Sequence, residues 1–183
     1  MKSNQYEMRK TWKVKGNRDE LFEILTNAVD YPRWWPSLFL DIEDTGVVKE
    51  AGGNMYALRS TGGWFPATLQ WNLVNVNEST PYRVSVRACG DVTGRGTWKL
   101  TEDGEYVNVE LLWILEADKP LLKYLSFILK PVFMANFHWC MKRGYESLNL
   151  ELQRRRATSH EEIRQLPSPP GPTFQPKEKV KSS

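Results

Sequence analysis

A chain of 183 residues that is 40% apolar and 12% aromatic is long enough for one domain with a sizeable core and a short appendage. Its net charge of +3 arises late: from residue 154 onward seven Lys/Arg stand against three Asp/Glu, which leaves the body close to neutral. The overall basicity therefore gives no ground for a nucleic-acid-binding face on the body.

The first element is a strand. Tyr6, Met8, Trp12 and Val14 alternate with Glu7, Arg9, Thr11 and Lys13, the period of a strand buried on one face, with Lys10 the exception on the apolar side. Asn17 stands where a helix N-cap belongs, with Glu20 three residues on, and Leu21, Phe22, Leu25, Ala28 and Val29 supply the apolar face of a short helix. Pro32 and Pro36 bracket Trp34 and Trp35, which reads as a second tight helical turn. Strands are then expected at residues 38–48, 54–61, 65–77, 82–89, 94–101 and 107–115. They are separated by Ala51-Gly52-Gly53, Gly62-Gly63 and a Glu102-Asp103-Gly104 hairpin signal. Gaps this short favour antiparallel pairing, because parallel strands need long crossovers.

Residues 119–156 read as helix. Phe133, Phe137, Met141, Tyr145, Leu148 and Leu152 recur at spacings of three and four, with Lys142, Arg143, Glu146, Glu151 and Gln153 taken as the polar side. Pro131 should break or bend this helix, which unbroken would be about 55 Å long. The Pro-rich run at 167–172 and the Lys/Glu/Ser end cannot supply a core, so 1–156 is read as the folded domain and 157–183 as a disordered, basic tail. The fold class is α+β, an antiparallel sheet of six or seven strands covered by one long helix.

This order resembles the helix-grip fold of the START-like (SRPBCC) superfamily, and within it the bacterial polyketide cyclase/dehydrase and lipid-transport group. The resemblance is carried by Tyr31-Pro32-Arg33-Trp34-Trp35-Pro36, by the run Ala88-Cys89-Gly90-Asp91-Val92-Thr93-Gly94-Arg95-Gly96-Thr97-Trp98, and by Lys119-Pro120. Further along it rests on Lys130-Pro131-Val132-Phe133, Asn136-Phe137-His138-Trp139-Cys140-Met141 and Arg143-Gly144. It implies a curved sheet wrapped around the helix with a cavity between them. Many members of the group carry histidine directly after the residue equivalent to Asn136; here Phe137 holds that place and His138 follows.

Given such a cavity, Trp71, Trp98 and Trp113 fall on the inward side of their strands, and Met134, Phe137 and Met141 on or beside the helix stripe. Aromatic and Met linings suit flat or lipid-like apolar ligands, although the same side chains fill a solid core equally well. Trp34 and Trp35 are candidates for the core or for the cavity mouth. Asp91, between Gly90 and Thr93, either points into the cavity or caps a turn. His138 is the candidate base or, having no Ser, Cys or Asp partner at a telling spacing and sitting on a largely apolar helix, a hydrogen-bonded core residue. Cys89 and Cys140 are expected to be reduced and at least half-buried, and no metal-ligand spacing occurs. The segment 120–139 is interrupted by Lys123, Lys130 and Pro131, and the first ten residues lack the apolar stretch of a secretion signal. A cytoplasmic protein without stable membrane insertion is the expectation.

Three functions follow. The first is a carrier of a small hydrophobic or aromatic molecule that needs no cofactor and contacts no nucleic acid. The second, implied by the resemblance, is a polyketide cyclase/aromatase or dehydratase using His138 or Asp91 to move protons. The third is an interaction module whose basic tail meets anionic partners.

Overall fold

The computed structural model describes residues 5–48, 53–76, 81–116 and 120–174, with side chains except those of 47–48 and 120–129. Among these residues the alternating stretches form seven strands: β1 Gln5–Lys15, β2 Phe39–Val48, β3 Gly53–Gly62, β4 Phe65–Val76, β5 Arg83–Gly90, β6 Gly94–Asp103 and β7 Tyr106–Glu116. Ala51, Gly52, Asn77, Lys119 and residues 175–183, about which the sequence also raises expectations, lie outside the described residues.

The strands make one antiparallel sheet in the order β1-β7-β6-β5-β4-β3-β2. Hairpin follows hairpin from β2 to β7, as the short connections require. Only β1 pairs at long range, with Trp12 opposite Val109 and Val14 opposite Val107. Both edges are thus β1 and β2, and β2 shifts register at Phe39/Asp41 and at Asp44/Gly46. The buried residues fall on one face of each strand, such as Trp12, Val109, Leu100, Ala88, Leu73 and Leu58.

Two short helices follow β1. In α1, Arg18–Thr26, the Asn17 side chain accepts the N–H groups of Asp19 at 2.7 Å and Glu20 at 3.4 Å, and Leu21, Ile24 and Leu25 are buried. A 3-10 turn, Ala28–Asp30, leads into α2, Tyr31–Trp34. The Tyr31 hydroxyl donates to the Leu25 carbonyl at 2.7 Å, which ties the two together beneath the sheet.

The long helix α3 runs from Pro120 to Arg156 with Pro131 inside it, so of the expected break or bend the break does not occur. Proline removes one hydrogen bond and crowds the carbonyl of residue 127, but bonds on either side of the gap keep the backbone helical. Phe137, Met141, Leu148 and Leu152 are buried against the sheet as the stripe requires, whereas Phe133 (39%) and Tyr145 (37%) are exposed. Tyr145 lies at the sheet edge, its hydroxyl donating to the Lys13 carbonyl at 3.1 Å.

Two residues of α3 depart from the apolar pattern and still face the core. Gly144 is one: a Cβ there would come within 2.3 Å of the Trp35 ring, so only glycine lets Trp35 lie against the helix. Glu151 is the other. It is 1% exposed, not part of the solvent side as its charge led us to expect. Arg33 from α2 donates to both of its carboxylate oxygens at 2.8 and 2.6 Å, and the Arg155 Nε donates at 2.9 Å. Arg33 also grips both oxygens of Asp30 at 2.7 and 2.6 Å, and these carboxylates push the guanidinium's pKa further up. Beyond it, Arg156 pairs with Glu20 at 2.6 Å and reaches the Lys15 carbonyl. The C-terminal half of α3 is therefore pinned to α1, α2 and the end of β1.

The described part of the supposed disordered tail is also ordered, because Ser159 and Glu162 form a helix start that composition alone obscures. The Ser159 side chain accepts the Glu162 N–H at 3.2 Å and opens α4, His160–Gln165. Arg154 donates to the Pro167 carbonyl, and the Thr173 hydroxyl donates to the Gly63 carbonyl at 3.2 Å. Six residues of extended proline-rich chain span about 19 Å, and α3 from Arg154 back to Cys140 spans about 21 Å. The segment thus lies along α3, antiparallel to it, and ends at the β3–β4 turn.

Replacing Glu151 by Gln should lower unfolding stability by about 1.5–3 kcal/mol, the range for hydrogen bonds to charged groups. The same change at an exposed site, Lys142→Gln, should stay within about 0.5 kcal/mol. Urea unfolding midpoints decide this, and equal midpoints for both variants would mean that the Arg33–Glu151 pair holds nothing. At an ordinary helix position Gly→Ala stabilises by about 1 kcal/mol. Gly144→Ala should instead destabilise by about 1–3 kcal/mol, because Trp35 must move; a raised melting temperature would refute the contact.

Candidate ligand-binding cavity

Because α3 is pinned over its C-terminal half, it leaves space between its middle turns and the sheet. That space is a cavity of about 530 Å³, within the size range of sites for small organic ligands. Its walls come from the inner faces of β1 and β3–β7, from β2 through Phe39, from α1 and α2 through Leu25, Tyr31 and Trp35, and from α3. It opens at the end of the sheet marked by the β3–β4 turn (Gly62, Gly63, Phe65), the β5–β6 turn (Asp91, Val92, Thr93), Glu116 and the α3 residues Lys130 and Phe133.

Trp71, Trp98, Trp113, Met134, Phe137 and Met141 all line this space, as does Trp35. The Trp113 ring owes its position to Gly96, its cross-strand neighbour: a Cβ at Gly96 would fall 1.8 Å from the ring. Trp71 meets Trp113 edge to face at 6.3 Å between centroids, an arrangement that aromatic quadrupoles favour. Trp34 is not in the wall. It is completely buried, meeting Tyr31 edge to face at 5.1 Å and lying tilted against Trp35 at 5.5 Å.

The two candidates for proton transfer stand differently. His138 is exposed and outside the cavity, and its Nδ1 lies 2.6 Å from the Met134 carbonyl one turn back in the same helix. It is neither a cavity base nor the core residue a largely apolar helix suggested; the helix turns it away by one position from Phe137. Asp91 is at the rim, where its carboxylate accepts the Gln70 N–H at 2.8 Å while its own N–H donates to the Gln70 carbonyl at 3.0 Å. These bonds carry the pairing of β5 with β4 one residue beyond Gly90, and Asp91 remains a lining residue of the cavity. Cys89 is exposed, on the outward side next to inward Ala88, contrary to expectation. Cys140 lines the cavity, and burial pushes its thiol up to about 12, so it is a neutral, apolar wall group near neutral pH.

Several polar residues in the wall are engaged by the protein itself. The Ser60 hydroxyl accepts the Trp71 Nε1–H at 2.9 Å. The Thr61 hydroxyl donates to the Ser37 carbonyl at 2.9 Å and accepts the Gly63 N–H at 3.1 Å. Asn136 donates to the Gly62 carbonyl at 3.0 Å and accepts the Trp64 N–H at 3.0 Å, joining α3 to the β3–β4 turn. Tyr31 donates to Leu25, and burial raises its pKa. Sequence reasoning missed Tyr31, Phe39, Cys140 and Asn136 as wall residues. The i, i+3, i+4 relation of Asn136 and Cys140 to Phe137 and Phe133 was the available signal. No group of three or more His, Cys, Asp or Glu residues among the described residues has metal-holding geometry.

No protein-family model and no curated protein sequence matches the chain. Solved structures do. A protein from Thermus thermophilus matches with a TM-score of 0.66 at 14% identity, over 83% of this chain and 100% of the other. The Zhui aromatase/cyclase from a Streptomyces species matches with a TM-score of 0.62 at 15% identity, over 85% and 98%. A START superfamily protein from Mycobacterium smegmatis matches with a TM-score of 0.53 at 12% identity, over 78% and 98%. At such identities the likeness is one of architecture: a curved seven-stranded antiparallel sheet gripping a long C-terminal helix, with short helices after the first strand. The chain has the START-like helix-grip fold.

Proposed function

We propose that the protein binds and carries a small hydrophobic or aromatic molecule in the cavity between the sheet and α3. The observation that carries this reading is the state of the wall. Its surface is mostly aromatic and aliphatic carbon, and Ser60, Thr61, Asn136 and Tyr31 already have protein partners. A ligand there gains from burial of apolar area and finds few groups to fix a polar substituent. In this reading the ligand-binding unit is residues 1–156, the protein acts in the cytoplasm, and no cofactor is required.

A second reading, a polyketide cyclase/aromatase or dehydratase, is favoured by the likeness to an aromatase/cyclase. Against it stands the placement of the two candidate proton-transfer groups, His138 outside the cavity and Asp91 at its rim with one carboxylate oxygen held by the Gln70 N–H. General acid–base catalysis needs such a group within hydrogen-bond reach of the reacting atom.

Two variants test the pair of readings. Met134→Trp should fill the cavity and abolish binding of an anilinonaphthalene sulfonate dye, at a stability cost of no more than about 1–3 kcal/mol. Unchanged dye binding by this variant would place the binding site elsewhere. His138→Gln should leave dye affinity and stability unaltered, the latter to within about 0.5 kcal/mol. Turnover of a polyketide-like substrate that falls about 10²–10⁴-fold in His138→Gln, with the melting temperature kept, would overturn the carrier reading.

A further inference from the structure

One hydrogen in the buried wall of the cavity is left over. Among the described residues three buried ones with a hydroxyl group line this space: Tyr31, Ser60 and Thr61. A hydroxyl has one hydrogen to donate and lone pairs with which to accept. Tyr31 gives its hydrogen to the Leu25 carbonyl at 2.7 Å, and Thr61 gives its own to the Ser37 carbonyl at 2.9 Å. Ser60 differs. Its oxygen accepts the Trp71 Nε1–H at 2.9 Å, and its hydrogen meets no acceptor among the described residues. Ser60 is 2% exposed and borders the cavity, so that hydrogen is free to turn inward. A hydroxyl that already accepts one hydrogen bond is polarised toward giving the next.

The indoles add to the same imbalance. The N–H groups of Trp12, Trp34 and Trp35 are sealed inside the protein. Those of Trp98 and Trp113 are neither sealed nor bonded among the described residues, and both rings line the cavity. Trp98 is only 8% exposed, and the open space beside it is this cavity. Buried indole N–H groups ordinarily find an acceptor. Strong acceptors are placed elsewhere: the carboxylates that line the space, Asp91 and Glu116, stand at its rim. Asn75, half-buried at the far end of β4, can both give and accept. The sulfur atoms of Met134, Cys140 and Met141 are weak acceptors. The interior therefore offers hydrogens and little to receive them.

We propose that the cavity selects apolar carbonyl compounds, and that the Ser60 hydroxyl, held by Trp71, donates to the carbonyl oxygen. A carbonyl accepts without donating, which is what an interior with spare hydrogens requires. Ser60 lies two residues before Gly62 at the rim, so the oxygen sits about 7 Å inside the opening. From the level of Leu69, its cross-strand neighbour, the inward side of β4 continues through Trp71 and Leu73 to Asn75, about 20 Å of wall for the apolar body. A site with a donor in place discriminates against the analogue that lacks the acceptor, because the donor is then left unpaired. The proposal rests on the carrier reading and narrows its ligand to one chemical class.

The test compares fluorenone with fluorene, its analogue without the oxygen, on the full chain. Affinities come from displacement of the anilinonaphthalene sulfonate dye, and the carbonyl stretch of bound fluorenone from infrared difference spectra. In the parent this band should lie at lower frequency than in a hydrocarbon solvent, the mark of an accepted hydrogen bond. Ser60→Ala combined with Trp71→Phe removes the hydroxyl without leaving the indole N–H to replace it. This double variant should lose about fivefold or more of the parent's preference for fluorenone over fluorene, and the band should return toward its hydrocarbon position. Ser60→Cys, close in size and a weaker donor, should fall between the two. A change of cavity volume acts on both compounds, so the ratio of their affinities isolates the oxygen. An unshifted band in the parent, an unchanged preference in the variants, or a band shifted equally in the parent and both variants would each overturn the proposal. Should the double variant not fold, Ser60→Cys decides alone: a preference and a band equal to the parent's overturn the assignment. A parent that binds both compounds without a band shift loses the carbonyl class and keeps the carrier reading. A parent that binds neither compound nor the dye loses both.

Discussion

Glu151 lies on the sheet-facing side of α3 with its carboxylate nearly sealed from water, and the helix can rest there only because Arg33 and Arg155 meet both oxygens. An ionised carboxylate buried without partners would cost several kcal/mol. The pairing therefore does more than add contact: it makes one placement of α3 acceptable and its neighbours unacceptable. A rotation of the helix by one residue would strand the charge. Arg33 is itself held by Asp30, so the position of α2 and the rotation of α3 are set together. Trp35, two residues after Arg33, then lies against Gly144 and completes the joint.

The cavity is the other side of the same joint. With Trp34 and Trp35 filling the space beneath the C-terminal half of α3, the middle of the helix is held away from the sheet. Large residues on the strands face this gap without closing it. Trp71 and Trp113 meet edge to face, and the absence of a side chain at Gly96 gives the Trp113 ring room to lie along the sheet. The aromatic content that fills a core in one half of the molecule thus walls a void in the other. Asn136 fixes the rim by bonding both ends of the β3–β4 turn, so the distance between helix and turn at the opening is set by two hydrogen bonds.

The strands, their order of appearance and the sheet-facing stripe of α3 were legible because period-two and period-3.6 patterns depend on apolar residues alone. What escaped was carried by residues that such patterns discard. Gly144 and Glu151 lie seven and fourteen residues after Phe137, on the same side of the helix. A glycine and a glutamate do not register as apolar, and Arg33 is 118 residues from its partner in sequence. Pro131 misled only as to a break: losing one hydrogen bond does not end the helix. In the wall, the tryptophans could be placed from strand phase, but how far His138, the neighbour of Phe137 on the stripe, is turned from the sheet depends on the rotation of α3. That rotation is set by the buried ion pair together with the stripe. The order in the segment after Arg156 was hidden by composition, although Ser159 and Glu162 had the spacing of a capped helix.

The pairing of β1 with β7 has a consequence for how the chain reaches this structure. β1 is the first of the described strands to leave the ribosome, and its described partner, β7, lies about a hundred residues later. At a synthesis rate of about 5–20 residues per second, β1 waits roughly 5–20 s before it can pair. Long-range closure of this kind is slow, because the entropy of the loop must be overcome before any contact forms. During that interval Trp12 and Met8 are without the strand that will cover them, while Glu7, Arg9, Lys13 and Lys15 alternate along the outward face and discourage premature association with other chains. Trp12 packs against Trp35, Trp98 and Tyr145 only after the whole sheet and α3 exist. The earliest of the described strands thus waits longest for its partner, and its pairing with β7 joins the two ends of the sheet's sequence span.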